Sequence, residues 1–254
     1  MIDMHCHILP GLDDGAGDMD EAIHMANNAV KEGISTIIAT PHHKNGRYDN
    51  SKENVVGNVE MLNELLIAKG IPLEVLPGQE CRIFGEFLEE YESGNIMSLA
   101  CSHFVLIELP SGHVPRYTER LLYDMQMKGL TPVIAHPERN SELTERPELL
   151  YSLVKNGALS QITAASVCGY FGKNIRKFSQ HLIESNLAHF IASDAHNTAS
   201  RSFCMQEAFQ LINAKYGVEM VCLLKENAEL LVRGQNVIKE IPEKIQKKKF
   251  LGLF

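Results

Sequence analysis

The segment IDMHCHILPGLDDG, residues 2–15, decides how the rest of the chain is read. Its first part, 2–7, has the short apolar character of a buried strand, and it ends in two histidines separated by one cysteine. Successive strand residues face opposite sides, so His5 and His7 point the same way while Cys6 faces the other. Such a pair can chelate one ion. The glycine-rich loop PGLDDGAG follows at 10–17, and its flexible backbone can fold Asp13 or Asp14 back over the same face.

Further apolar runs recur along the chain with amphipathic segments between them, the pattern of repeated βα units and a parallel sheet. The reading gives seven strands, at 2–7, 36–42, 73–80, 103–109, 132–136, 158–164 and 188–194. The clearest helix begins near Asp18, carries Ala22, Ile23, Ala26, Ala29 and Val30 at helical spacing, and stops at Gly33. Others are expected at 52–69, 116–128, 147–155, 174–184, 200–215 and 219–233, with Pro147 suited to a first helical turn. Seven βα units predict a closed barrel. No repeat, linker or shift in composition marks a boundary, so 1–254 is expected to be one domain, with 239–254 as an appended tail.

The ends of these strands carry the chemistry. TIIATPHH ends in His42 and His43, of which only one can face a site. LEVLPGQE ends in Glu80 and FVLIELP carries Glu108, carboxylates that directly follow buried runs and need a metal, an arginine or a proton. PVIAHPER supplies His136 and then Arg139; FIASDAH supplies Asp194 and His196, with Arg201 a short loop later. Parallel barrels gather strand C-termini on one face, so residues far apart in sequence converge in space. The candidate ligands His5, His7, Asp14, His42, Glu80, Glu108, His136, Asp194 and His196 exceed the needs of one tetrahedral ion, and a bridging carboxylate such as Glu80 would let them hold two or three. Imidazole and carboxylate ligation without thiolate suits manganese, iron or zinc. His24, His103, His113, His181 and His189 read as structural or solvated.

Composition narrows the classes. At 254 residues and 44% hydrophobic, the chain can bury a sizeable core. No apolar run reaches the roughly 18 residues that span a bilayer, and the N-terminus lacks a signal-peptide pattern, so a soluble cytoplasmic protein is expected. The net charge of -8 argues against nucleic-acid binding. Six cysteines form no CxxC pair, and none precedes an arginine by six residues as a cysteine-dependent phosphatase loop requires. The GxxxxGK[ST] nucleotide loop is missing too.

HxH near the N-terminus, TPHH, the isolated glutamates, AHPER and SDAH together resemble the PHP (polymerase and histidinol phosphatase) family over residues 2 to about 200. Within it, the DMHCHILPGLDDG opening and the spacing are most similar to bacterial manganese-dependent protein-tyrosine phosphatases of capsule and exopolysaccharide systems. The resemblance implies a distorted (β/α)7 barrel of the PHP type and a trinuclear metal cluster. It implies that His5, His7, Glu80 and Asp194 bind one ion, that Asp14, His42 and His196 bind a second, and that Glu80, Glu108 and His136 bind a third. Arg139 and Arg201 match the phosphate-binding arginines, and Asp14 is preferred to Asp13.

The reaction then expected is hydrolysis of phosphotyrosine on bacterial proteins, including a tyrosine autokinase and its targets, by metal-activated hydroxide. No general acid is identified. Two alternatives stand beside it: a histidinol phosphatase or other small-molecule phosphomonoesterase, and a non-catalytic metal-stabilised interaction protein. Arg47, Tyr48 and SGHVPRY at 111–117 could line the mouth of the site, and the lysines 247–249 with the FLGLF that follows could dock on a membrane or a kinase.

Overall fold

The computed structural model describes residues 1–245. Its strands are β1 (Ile2–Cys6), β2 (Thr36–Ala39), β3 (His42–His43), β4 (Glu74–Pro77), β5 (Glu80–Arg82), β6 (Phe104–Glu108), β7 (Thr131–Ala135), β8 (Leu159–Thr163) and β9 (Phe190–Ala192). All pairings are parallel, in two sheets ordered β1-β2-β4 and β3-β5-β6-β7-β8-β9. The expected βα alternation is present, with two of the expected strands each divided in two.

Both divisions have local causes. Pro41 has no N–H to give to a ladder, and the N–H of Thr40 turns to the Cys6 carbonyl at 2.9 Å. Between β4 and β5, a Cβ on Gly78 would lie 2.8 Å from Ile38 Cγ2, so only glycine fits against β2 there. The fully buried Gln79 then ties the break down, donating to the Asn50 carbonyl and accepting from Met97 N–H. The outcome is that β3 and β5 leave the first sheet and pair with each other, His42 opposite Glu80.

At the other edges, β1 meets the segment after β9. Asp194 N–H donates to the His5 carbonyl and His7 N–H to the Ala195 carbonyl, each at 2.9 Å, and Cys6 and Ala195 form a parallel bridge. Beneath these contacts Met4, Ile38, Phe104, Leu106, Val133, Leu159 and Phe190 fill an interior cluster contributed by β1, β2, β6, β7, β8 and β9. A larger cluster, including Cys6, Ile37, Val105, Ile107, Ile134 and Ile162, packs the outer strand faces under the helices.

Strand β1 contains one more residue than β2 between the pairs Asp3–Ile37 and Cys6–Ala39, a bulge that re-phases its side chains. Met4 therefore reaches the interior cluster while His5 and His7, also fully buried, stand above it.

The helices follow the sequence reading closely where the apolar stripe is strong. Met19–Lys31 is capped by the Asp18 side chain accepting from Glu21 N–H at 2.9 Å, and it ends just before Gly33 at φ +77°. Pro147–Lys155 has the expected bounds. Met205–Tyr216 starts five residues later than the expected 200, because 197–203 form the loop that carries Arg201. The short helices Phe87–Glu92, Ser141–Glu145 and Ala164–Cys168 lie outside every predicted helix, being too short to show a period.

The start of the expected tail is fixed to the body: Glu243 N–H donates to the Ser185 carbonyl, Asn186 donates to the Ile241 carbonyl, and Ile245 packs on the core. The lysines 247–249 and FLGLF lie outside the described residues. Among those described, no helix is long and apolar enough to cross a membrane.

Gly15 closes the loop after β1, where a Cβ would fall 2.0 Å from the His7 carbonyl oxygen. Gly57, inside helix Lys52–Ala68, has nothing within 4 Å of its virtual Cβ. Urea unfolding is expected to show Gly15→Ala destabilised by about 1–3 kcal/mol and Gly57→Ala stabilised by about 0.5–1 kcal/mol. Equal effects at the two glycines would contradict this packing.

Candidate metal centre

All nine sequence-selected residues converge at one end of the strands. His5 lies near the end of β1 with His7 just beyond it and Asp14 in the loop that follows, His42 opens β3, Glu80 opens β5, Glu108 ends β6, and His136, Asp194 and His196 follow β7 and β9. Within 4.8 Å of one another lie ligand atoms of His7, Asp14, His42 and His196; of His5, His7 and Glu80; and of His42, Glu80 and Glu108. Asp194 Oδ1 adds to the second group, 3.4 Å from His5 Nε2 and 3.3 Å from His7 Nε2. Compared with the expected sets, His7 and His42 are each shared between groups. His136 stands beside the third group, its Nε2 2.7 Å from Glu80 Oε1.

Secondary contacts fix the direction of the imidazoles. His5 Nδ1 faces the Gln161 side-chain oxygen at 2.9 Å, His7 Nδ1 faces Asp13 Oδ2 at 2.6 Å, and His196 Nδ1 faces the Asp194 carbonyl at 2.9 Å. With those nitrogens as donors, each ring turns its Nε2 toward the carboxylates. His5 Nε2 and His7 Nε2 are 3.3 Å apart. Buried Glu80 Oε2, Glu108 Oε2, Asp194 Oδ1, His42 Nδ1 and His196 Nε2 make no well-aligned hydrogen bond, their near neighbours being ion-pair contacts such as His42 Nδ1 with Glu80 Oε2 at 2.8 Å and Arg82 with Glu108 Oε2 at 2.9 Å. Buried polar atoms are normally satisfied. An array of converging imidazole nitrogens and carboxylate oxygens fits divalent ions, and Cys6 stays out of it, its Sγ on the Ala195 carbonyl.

Electrostatics agree with this. Burial works against the charge on His5, but Glu80 and Asp194 raise its pKa overall; His7 is likewise held well above the ordinary range, by Asp13 first. Burial opposes ionisation of Glu80 and Asp194 as well, yet the imidazoles, His5 foremost, hold both well below the carboxylate range. Burial and the neighbouring His7 push His196 down to about 4, which leaves it neutral with a free lone pair. Glu108 is raised by burial and by Glu80. Positive charge is thus favoured at His5 and His7.

The two aspartates of the loop separate cleanly. Asp13 accepts from His42 N–H and Gly15 N–H while holding His7, so it orients the His7 ring and the backbone of His42. Asp14 Oδ1 faces His42 Nε2 at 3.4 Å and His196 Nε2 at 3.5 Å. Of the histidine pair, His42 enters the site and His43 turns to Asp49 at 3.2 Å. His136 and Asp194 have positive φ, +30° and +53°, conformations that cost about 1–3 kcal/mol in a non-glycine residue and collect at functional sites.

Arg139 and Arg201 converge on Asp194 Oδ2, Arg201 Nη2 at 3.2 Å. Arg201 also reaches Asp14 Oδ2 at 3.5 Å. Arg139 is aimed by its neighbour Glu138, whose buried Oε1 accepts from Thr163 N–H and Ser166 Oγ and pins the turn Pro137–Arg139. Sequence reasoning missed three contributors. Arg82 pairs with Glu108 at 2.9 Å, and its position two residues after Glu80 on one strand was the available signal. Gln161, a buried polar residue inside LSQIT, was another. Glu138 was hidden among ordinary charges. Tyr48 stacks on His42 with centroids 6.2 Å apart, and Arg47 lies over Tyr48; His113 and Arg116 border a separate cavity of about 660 Å³.

A parallel α/β scaffold with imidazoles, carboxylates and arginines gathered at its strand ends defines the class: a metallohydrolase-like centre. The chain belongs to the CpsB/CapC family of capsular polysaccharide synthesis, whose model matches residues 1–233. It is 52% identical over 254 residues to the tyrosine-protein phosphatase YwqE of Bacillus subtilis (strain 168), covering 100% of both chains. A crystal structure from work on YwqE from Bacillus subtilis and CpsB from Streptococcus pneumoniae, described as metal-dependent tyrosine phosphatases, matches with TM-score 0.95 and 52% identity, over 97% of this chain and 100% of that one. The histidinol phosphate phosphatase of Lactococcus lactis, at 14% identity and TM-score 0.52 over 84% of this chain and 94% of that one, shares the fold alone.

With the pKa values of His5 and His7 raised, ions binding there would compete with protons, so calorimetric loading of metal-stripped protein with manganese is expected to release protons and to weaken as pH falls. Heats independent of buffer ionisation enthalpy would contradict the raised pKa values. Asp13→Asn should weaken ion binding by about 10- to 100-fold by freeing His7; unchanged affinity would remove Asp13 from its orienting role.

Proposed function

We propose that this chain is a metal-dependent tyrosine-protein phosphatase, hydrolysing phosphotyrosine on bacterial proteins. The observation that carries the reading is the joint presence of the buried imidazole–carboxylate array and two arginines on Asp194, in a chain 52% identical to a tyrosine-protein phosphatase over its whole length. Manganese is the preferred ion, two or three per chain, with iron or zinc as substitutes. His5, His7, Asp14, His42, Glu80, Glu108, His136, Asp194 and His196 are proposed to hold the ions. The strands, joined through the contacts between β1 and 193–195, are proposed to form a distorted seven-stranded barrel of the PHP type. We also propose one domain over 1–254, a cytoplasmic location, and a tyrosine kinase with its substrates as partners.

Ions held by these residues would supply water of lowered pKa and would draw charge from the phosphate oxygens. The chain's own residues do the rest. Asp13, Gln161 and the Asp194 carbonyl hold the Nε2 atoms of His7, His5 and His196 toward the site. Arg139 and Arg201, about 30% and 29% exposed, present guanidinium groups from a buried carboxylate to the open side. A phosphoryl group there would accept their N–H donors, and the charge that grows on its oxygens in the transition state would be matched by fixed positive charge. Arg82 holds the Glu108 carboxylate in place. Tyrosine, with a phenol pKa of about 10, leaves without demanding a strong proton donor, and no side chain is given that role.

The deciding assay compares phosphate release from a phosphotyrosyl peptide and from histidinol phosphate. Turnover of the peptide should vanish on metal stripping, return with manganese, and fall by about 10²- to 10³-fold in Arg139→Ala. Cys6→Ser should keep it. Preference for histidinol phosphate would transfer the reading to a small-molecule phosphatase, and metal-dependent stability without turnover would leave an interaction protein.

A further inference from the structure

Residues 169–172 read Gly-Tyr-Phe-Gly and form a tight turn after helix Ala164–Cys168. Gly169 and Gly172 have φ of +92° and +97°, and Gly172 N–H donates to the Gly169 carbonyl at 3.0 Å. Glycine tolerates such left-handed backbone without penalty. Between them, Tyr170 is 64% exposed and Phe171 36% exposed. The turn therefore holds two adjacent aromatic rings out of the core, where burial would have favoured them.

Both rings are fixed in place. The Tyr170 hydroxyl donates to the Glu207 carboxylate. Phe171 offers its face to Arg139, whose guanidinium carbon stands 5.3 Å from the ring centroid, while the same guanidinium bonds Asp194. Tyr170 and Phe171 border a cavity of about 410 Å³ together with Asp194 and Arg201. This cavity thus meets the candidate metal centre at Asp194 and Arg201, with an aromatic wall beside them and the carboxylates of Glu32 and Glu207 farther along its lining.

We propose that Phe171 is a specificity-determining residue that receives the phenyl ring of phosphotyrosine, with Tyr170 extending the wall. This rests on the tyrosine phosphatase reading. A phosphoryl group held by Arg139 and Arg201 carries its ester substituent outward into this cavity. An aromatic substituent meets the Phe171 ring in stacked or edge-to-face contact, which aromatic pairs favour beyond simple burial. A short alkyl substituent gains nothing there. The wall therefore selects aryl over alkyl phosphates without touching the reacting bond.

The test measures binding of phenylphosphonate and methylphosphonate to the manganese-loaded protein by calorimetry, for the unsubstituted chain, Phe171→Ala and Phe171→Trp. The ratio of the two affinities should fall about fivefold to tenfold in Phe171→Ala and be retained in Phe171→Trp. An unchanged ratio, with both ligands weakened alike or neither weakened, overturns the proposal, since Phe171 would then merely support Arg139 or do nothing. Failure of the unsubstituted protein to turn over a phosphotyrosyl peptide removes the functional reading itself, and this inference with it. The turn is exposed, and an unchanged thermal midpoint in both variants checks that the fold is intact.

Discussion

Glu80 is a carboxylate with no exposed surface, surrounded by His5, His7, His42 and His136. A bare charge in that position would cost several kcal/mol, so cations must be drawn around it, as protons on the imidazoles or as metal ions. Much of the local architecture serves that requirement. The bulge in β1 brings His5 and His7 inward above Met4. The breaks at Thr40–Pro41 and Gly78–Gln79 detach β3 and β5 so that His42 and Glu80 pair across one ladder. The positive-φ residues His136 and Asp194 turn their side chains back over the strand ends.

Around this centre lies a second set of contacts that make it directional. Asp13, Gln161 and a main-chain carbonyl decide which ring nitrogen faces inward, and Glu138 and Arg82 fix Arg139 and Glu108. Fixed donors need little rearrangement when charge develops on a phosphate, which is how a rigid site lowers a barrier. The same rigidity reaches Phe171 through its contact with Arg139.

The strand ends were legible because apolar runs that terminate in His or an acid stand out in one dimension, and parallel connection makes their convergence a matter of topology. His5, His7, His42, Glu80, Glu108, His136 and Asp194 all came from that rule. It could not show how these side chains group in space: His7 and His42 each belong to two clusters, a fact of three-dimensional distance. Nor could it show the divided strands, since a proline or glycine near a strand end reads equally well as a terminus. The residues alone left Asp13 and Asp14 equivalent in a glycine-rich loop, with only the family resemblance favouring Asp14; the structure separates them by placing Asp13 on His7. Glu138 and Gln161 act through hydrogen bonds to remote elements, which leave no periodic trace.

The claim at the centre is that this array holds ions, and crystals grown with manganese test it most directly through anomalous scattering at the manganese edge. The account requires peaks between His5, His7, Glu80 and Asp194, between Asp14, His42 and His196, or beside Glu80, Glu108 and His136. Well-ordered crystals that show no anomalous density among these side chains, with the imidazoles in the same positions, would contradict it.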